Sequence, residues 1–203
     1  MLGFVNQLEL PRDAKGDGKG MLVWGAGSSV GIGAIILARL MGFKVYATAN
    51  PQHHEYLKSL GAARLFDYKD PDVVNSILTS ANEDGLSFKL GYLGIGDLRP
   101  CLDVLKVFKG TGVSKIAHAP ILPDDAAKED GIEIKFVAAS DDKDVRLDHA
   151  AWASAWFGEK LLSGDIVSCG AVELMEGGLG GLNNALDKLR DKGVSGAKIV
   201  LEI

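Results

Sequence analysis

The chain has 203 residues, 47% of them hydrophobic and 24% charged, a composition that supports a packed core and excludes a disordered segment. A net charge of −5 argues against the clustered basic face that nucleic acids require, so no nucleic-acid partner is expected. The longest apolar run, near "AIILARLMGF", is short and broken by Arg39, and no secretory leader opens the sequence, so a cytoplasmic protein without membrane contact is expected.

Residues 1–20 begin apolar, with Leu2, Phe4, Val5 and Leu8 suited to a short helix or docking segment that Pro11 ends. They run out as a Gly/Lys/Asp linker. From Met21 onward, apolar strands alternate with amphipathic helices. "MLVWG" reads as a strand, 29–42 as a helix and "KVYATA" as a strand. A helix over 52–60 follows, with Gly61 as its cap, then the strand "RLFDY". Asp70 and Pro71 suit the cap and first turn of a helix through "DVVNSILTSA". Residues 86–96 read as a strand ending in glycines and 98–108 as a helix. "VSKIAHAP" and "IEIKFVAA" are two more strands, and a long helix spans 147–163. After "DIVSCGAVELM" come a helix over 178–192 and the strand "AKIVLEI". This alternation predicts a doubly wound, mainly parallel α/β sheet of Rossmann type, helices on both faces. The expected organisation is a linker or docking segment at 1–20 and one domain at 21–203. Cys101 and Cys169 lack C-x-x-C spacing and are expected to be buried, reduced thiols.

The first strand and helix are joined by "GAGSSVG". A dinucleotide fingerprint has G-x-G-x-x-G at such a junction, but here the third glycine, Gly31, comes one residue late. What the chemistry needs is small residues where backbone meets pyrophosphate, and a helix N-terminus facing the anion. Gly27, Ser28 and Ser29 are small, and the serines add hydroxyls. The competing reading is a turn that holds no ligand. The strand before, the helix after and the second strand ending at Asn50 favour the ligand. An acidic residue at that end would bind ribose hydroxyls and repel a 2′-phosphate. "NPQHH" has none before Glu55, which favours NADP(H) over NAD, and a protonated His53 or His54 would favour it further.

The stretch from "LVWGAGSSVGIG" through "ATANPQHHEYLKSLGAARLFDY" resembles the cofactor domain of the zinc-independent medium-chain dehydrogenase/reductase family. It is most similar to the quinone-oxidoreductase-like and fungal trans-acting enoyl reductase branch. That branch shows a "W-G-x-S-S-x-V-G" type turn, "S-P-x-N", "K-S-L-G-A" and "F-D-Y". The ending "GGLGGLNNALDKLRDKGVSGAKIVLEI" resembles it too. The resemblance implies an NADPH-binding domain. Gly27, Ser28, Ser29 and Val30 would hold the pyrophosphate. Asn50, Pro51, Gln52 and His53 would surround the 2′-phosphate, and Tyr68 would lie along the adenine. Gly94, Ile95, Gly96, Ala117 and His118 would stand toward the nicotinamide, with Val194 and Ser195 approaching it from "V-S-G-x-K".

Two departures stand out. Family members carry an N-terminal barrel-like catalytic domain, and this sequence begins at what resembles the linker helix, so it reads as shortened. "YLGIGD" also replaces the family's "A-L-D-x-I". The implied chemistry is hydride transfer from NADPH to an enone, a quinone or a polyketide-like substrate. Cofactor binding carries over better than reductase activity. No Ser-Tyr-x-x-x-Lys set, zinc quartet or acid/base pair is present, so neither a catalytic residue nor a metal ligand is assigned. The alternative is a non-redox protein on the same pocket: an NADPH sensor, a cyclase or isomerase, or an inactive homologue. Either a homo-oligomer or a separate partner protein would complete the cleft.

Overall fold

A computed structural model describes residues 3–110, 112–167, 170–191, 193–194 and 196–203. The chain groups into two compact units, Met1–Val167 and Ser168–Ile203. The first holds six strands: β1 (Gly20–Trp24), β2 (Lys44–Ala49), β3 (Ala62–Asp67), β4 (Phe88–Leu93), β5 (Ser114–His118) and β6 (Ile132–Phe136). They form one parallel sheet in the order β3-β2-β1-β4-β5-β6. Its helices are α1 (Ser29–Leu40), α2 (His54–Ser59), α3 (Val73–Glu83), α4 (Arg99–Phe108) and α5 (Lys143–Leu162).

The apolar strands are continuous because helices cover the sheet. All five residues of β1 are buried, as are five of the six in β2. Leu22, Trp24, Tyr46 and Phe88 pack with Val73 and Ile77 of α3 and Leu102 and Leu105 of α4. Fully burying one such leucine or isoleucine contributes about 1.5–3 kcal/mol. Tyr92 points away from that cluster and stacks on Phe4 of the N-terminal segment at 5.7 Å. That segment, a π-helical turn at Gly3–Gln7, buries Phe4 and Leu8. Residues 3–20 fall within the first unit.

Several element ends differ from expectation for local reasons. The helix expected at 52–60 is a 3-10 turn, Pro51–His53, followed by α2. The helix expected from Asp70 starts at Val73, because the Asp70 carboxylate accepts from Asp72 N at 2.9 Å and closes a turn of its own. The long helix begins at Lys143 rather than 147, capped by Asp142, which accepts from Asp144 N and Val145 N at 2.8 and 3.1 Å. Cys101 is a free, buried thiol, and burial pushes its pKa well up. Cys169 lies outside the described residues.

The second unit pairs β7 (Ala171–Met175) in parallel with β8 (Ala197–Leu201). A 3-10 turn at Gly178–Gly181 and α6 (Leu182–Arg190) connect them. Glu173 and Lys188 form an ion pair within this unit.

Candidate functional site

The order of the sheet reverses between β1 and β4, and in doubly wound sheets ligands sit beyond the carboxyl ends of the strands at that crevice. The turn after β1 lies there. Gly25 has φ +72, and a Cβ on it would fall 2.1 Å from Ile95 O, so only glycine fits. Gly25 N donates to Thr48 Oγ1 at 3.1 Å, and Ala26 N donates to Thr48 O at 2.8 Å. Gly94 N donates to Trp24 O at 2.8 Å, tying the same turn to β4.

Ser28 caps α1. Its hydroxyl accepts from Gly31 N at 3.1 Å and donates to Gly25 O at 2.9 Å, so it holds the turn together. A Cβ on Gly31 would meet Gly25 O at 2.5 Å and Ala26 Cα at 2.6 Å. Gly31 therefore provides close helix–strand packing from one position later than the usual fingerprint. Gly27 differs. A Cβ there would meet only His53 Cδ2, at an ordinary 3.6 Å, so the fold does not require a glycine. The amides of Gly27, Ser29 and Val30 donate to no atom among the described residues. Ser29 and Val30 are exposed, and no acidic side chain occupies the first turn of α1. The N-terminal end of this helix keeps its partial positive charge and can receive an anion.

At the end of β2, Asn50 Oδ1 accepts from Gln52 N at 3.1 Å and caps the short turn; Pro51 and Gln52 are exposed. The two histidines point to different partners. His53 lies beside Gly27, with its Nε2 at 3.1 Å from Gln52 Nε2. His54 turns back and donates from Nε2 to Ala49 O at 3.1 Å. Beyond β3, Tyr68 is 45% exposed, with Lys69 Nζ 5.8 Å from its ring centre.

On the other half of the carboxyl edge, Ile95 is 59% exposed between Gly94 and Gly96, and Ala117 is wholly buried. His118, at the end of β5, is buried against Phe136, with ring centres 5.4 Å apart. Val194 belongs to the second unit, and Ser195 lies outside the described residues. The sequence reading misses Thr48. Its signal is a lone hydroxyl in the apolar run "VYATA", and its role as a clamp depends on which strand lies alongside. Among the described residues, no three His, Cys, Asp or Glu side chains gather as a metal-holding group. No helix among them is long and apolar enough to cross a membrane.

The fold and the turn define the class: a Rossmann-type α/β domain whose glycine-rich β1 turn lies at the reversal of its sheet. Residues 29–114 match the family model described as zinc-binding dehydrogenase. The chain is 41% identical over 189 residues to the trans-enoyl reductase tndF of Aspergillus flavipes, covering 92% of this chain and 54% of that protein. It superposes on a quinone oxidoreductase of Pseudomonas syringae with TM-score 0.70 at 18% identity, covering 100% of this chain and 61% of that one. The NADPH complex of CurA from Vibrio vulnificus superposes with TM-score 0.67 at 17% identity, covering 99% and 61%. The chain spans about half the length of the curated relatives it matches. It is similar to the Rossmann domain of the medium-chain dehydrogenase/reductase family, whose fold it shares.

Proposed function

We propose that this chain is the NADPH-holding part of an enoyl reductase acting on an enone-type, polyketide-like substrate. One observation carries the reading. The only glycine of the β1 turn that the fold could replace, Gly27, carries one of three unpaired amides at the sheet reversal. Such a cradle suits pyrophosphate.

The residues present fit the cofactor. The amides of Gly27, Ser29 and Val30 and the Ser29 hydroxyl would take the pyrophosphate, while Ser28 and Thr48 keep the turn in shape. Asn50, Pro51, Gln52 and His53 would surround the 2′-phosphate, and no carboxylate there would repel it. Tyr68 would lie along the adenine. Ile95 and His118 would border the nicotinamide half, whose hydride is the chemistry the cofactor supplies when bound. The enoyl reductase names among the relatives favour this reading over a non-redox protein on the same fold.

Calorimetric titration of the chain with NADPH and NADH tests the proposal. NADPH should bind at least about tenfold more tightly, equivalent to about 1.4 kcal/mol. Equal affinities would remove the 2′-phosphate assignment, and no binding of either would overturn the proposal.

A further inference from the structure

The longest helix of the first unit, α5, buries none of its residues fully, although it carries Val145, Leu147, Trp152, Trp156 and Phe157. Part of one face lines a cavity of about 370 Å³. Arg146, His149, Ala150 and Ala153 recur there at i, i+3, i+4 and i+7, with Trp152 beside them. The facing wall is Val5 and Asn6 of the N-terminal turn, with Ala139 and Ser140, which follow β6. Gln7 Nε2 donates to Ala138 O at 3.2 Å and links the two parts of that wall. All of these residues belong to the first unit. The volume falls within the range of about 300–1,000 Å³ typical of small-molecule sites.

The lining surface is almost wholly apolar. Trp152, its largest side chain, is held in place by Arg12, which stands 5.0 Å from the ring centre and pairs with Asp148. Arg146 is exposed, and its Nη1 donates to Ser140 O at 2.8 Å and to Asp141 O at 2.7 Å. Both acceptors are neutral carbonyls, so the guanidinium keeps its full charge, and it forms no ion pair among the described residues. Its Nε and Nη2 groups remain able to donate. His149 makes no hydrogen bond among the described residues either. Of the carboxylates on this stretch, Asp148 is taken up by Arg12 and Asp142 by the first turn of α5, while Asp141 and Asp144 are exposed.

An apolar cavity with an unpaired cation at its rim selects a molecule with an apolar body and one negative end. We infer that this cavity binds a medium-length aliphatic carboxylate, its chain against Trp152 and Ala153 and its carboxylate on Arg146. The inference does not rest on the function proposed above.

Calorimetry of the native chain with straight-chain acids tests it. Affinity should rise about threefold to fourfold per added methylene from butanoate to octanoate, and level off once the cavity is full. Octan-1-ol, which lacks the charge, should bind about fivefold more weakly than octanoate, the upper range of an exposed ion pair. Arg146→Gln should bring the acid and the alcohol to parity, and Ala153→Phe, which fills the cavity, should abolish binding of both. In the native chain, ω-bromo-octanoate should quench tryptophan fluorescence saturably, and Trp152→Phe should remove that quenching. Absence of saturable octanoate binding overturns the inference, as does equal binding of octanoate and octan-1-ol. So does parental octanoate affinity in a folded Ala153→Phe. If that variant does not fold, bromo-octanoate that binds the native chain without quenching overturns the inference instead. NADPH binding without octanoate binding defeats this inference alone, and octanoate binding without NADPH binding defeats only the proposed function.

Discussion

On the β1–β3 half of the carboxyl edge, the unpaired donors are backbone amides held in place by side chains. On the β4–β6 half, a buried side chain, His118, is held in place by a backbone carbonyl. Thr48 and Ser28 brace the turn that carries the amides of Gly27, Ser29 and Val30, whereas Pro120 O fixes the His118 ring. The first arrangement is sensitive to bulk and charge near the backbone and nearly indifferent to which small residue stands there. The second depends on one atom of one side chain. Substitutions on the two halves should therefore fail differently: by exclusion on the first, by loss of a single bond on the second.

The largest expected effect lies on the first half. Gly27→Val should lower nucleotide affinity at least about a hundredfold, equivalent to about 2.7 kcal/mol. The branched side chain would stand where phosphate must approach, and its Cβ meets nothing in the chain closer than 3.6 Å. The variant should keep the far-UV circular dichroism and melting temperature of the parent. Ser29→Asp should act similarly through charge, with a carboxylate set against the pyrophosphate at the helix N-terminus. A folded Gly27→Val with parental affinity would reduce the turn to a structural feature and dissolve the contrast between the halves.

Asn50→Asp should have a smaller effect, confined to cofactor choice. Asn50 Oδ1 caps the turn by accepting from Gln52 N, and aspartate keeps that oxygen, so the backbone has no reason to move. The added charge should weaken NADPH about tenfold while leaving NADH unchanged or slightly improved, a shift of about 1.4 kcal/mol in preference. The ratio of the two affinities, measured by calorimetry, checks this. An unaltered ratio would place the 2′-phosphate elsewhere.

How much of this was legible in the sequence follows the same division. The strands and helices of the first unit follow from apolar runs and helical periods, because parallel strands covered on both faces must be apolar throughout. The glycine turn was legible as a turn. The packing role of its late third glycine was not, because Gly31 packs through contact with Gly25 O and Ala26 Cα, which is tertiary. Thr48 is invisible without the pairing of β1 and β2. "HH" at 53–54 reads as two equivalent histidines, yet one faces Gly27 and the other hydrogen-bonds Ala49 O. Asp70 and Asp72 are equally good caps by type, and only the local turn closed by Asp70 decides between them. The division at Val167 leaves no mark in composition that the apolar pattern could register.

The smallest expected effect concerns how each half is fastened, and it appears in acid. On the first half, Arg64 and then the Tyr46 hydroxyl hold the Asp84 carboxyl at about 2, below its usual 3.8. The guanidinium bonds lie at 2.6 and 2.9 Å and the phenol bond at 2.5 Å, joining α3's end to β2 and β3. On the second half, Lys115 and then Lys135 hold Glu9 at about 2, below its usual 4.5, joining the N-terminal segment to β5 and β6. Both folded values are lowered, so both contributions are complete above the unfolded values and fade as pH falls. The window runs from about 4.5 to 2 for Glu9 and from about 3.8 to 2 for Asp84. Both carboxylates are solvent-exposed, so the effects should be small and should shrink with added salt. Thermal melts between pH 7 and pH 2.5 should show Glu9→Gln losing acid response from about pH 4.5 downward and Asp84→Asn only from about pH 3.8 downward. Glu9 also has φ +55, a left-handed conformation unfavourable for a residue with a Cβ. Glu9→Gly removes the same ion pairs as Glu9→Gln but relieves that backbone, so at pH 7 it should be the less destabilised of the two. If it is instead the more destabilised, the two lysines do not hold a strained segment in place, and the fastening of the second half lies in the burial of Phe4 and Leu8 alone.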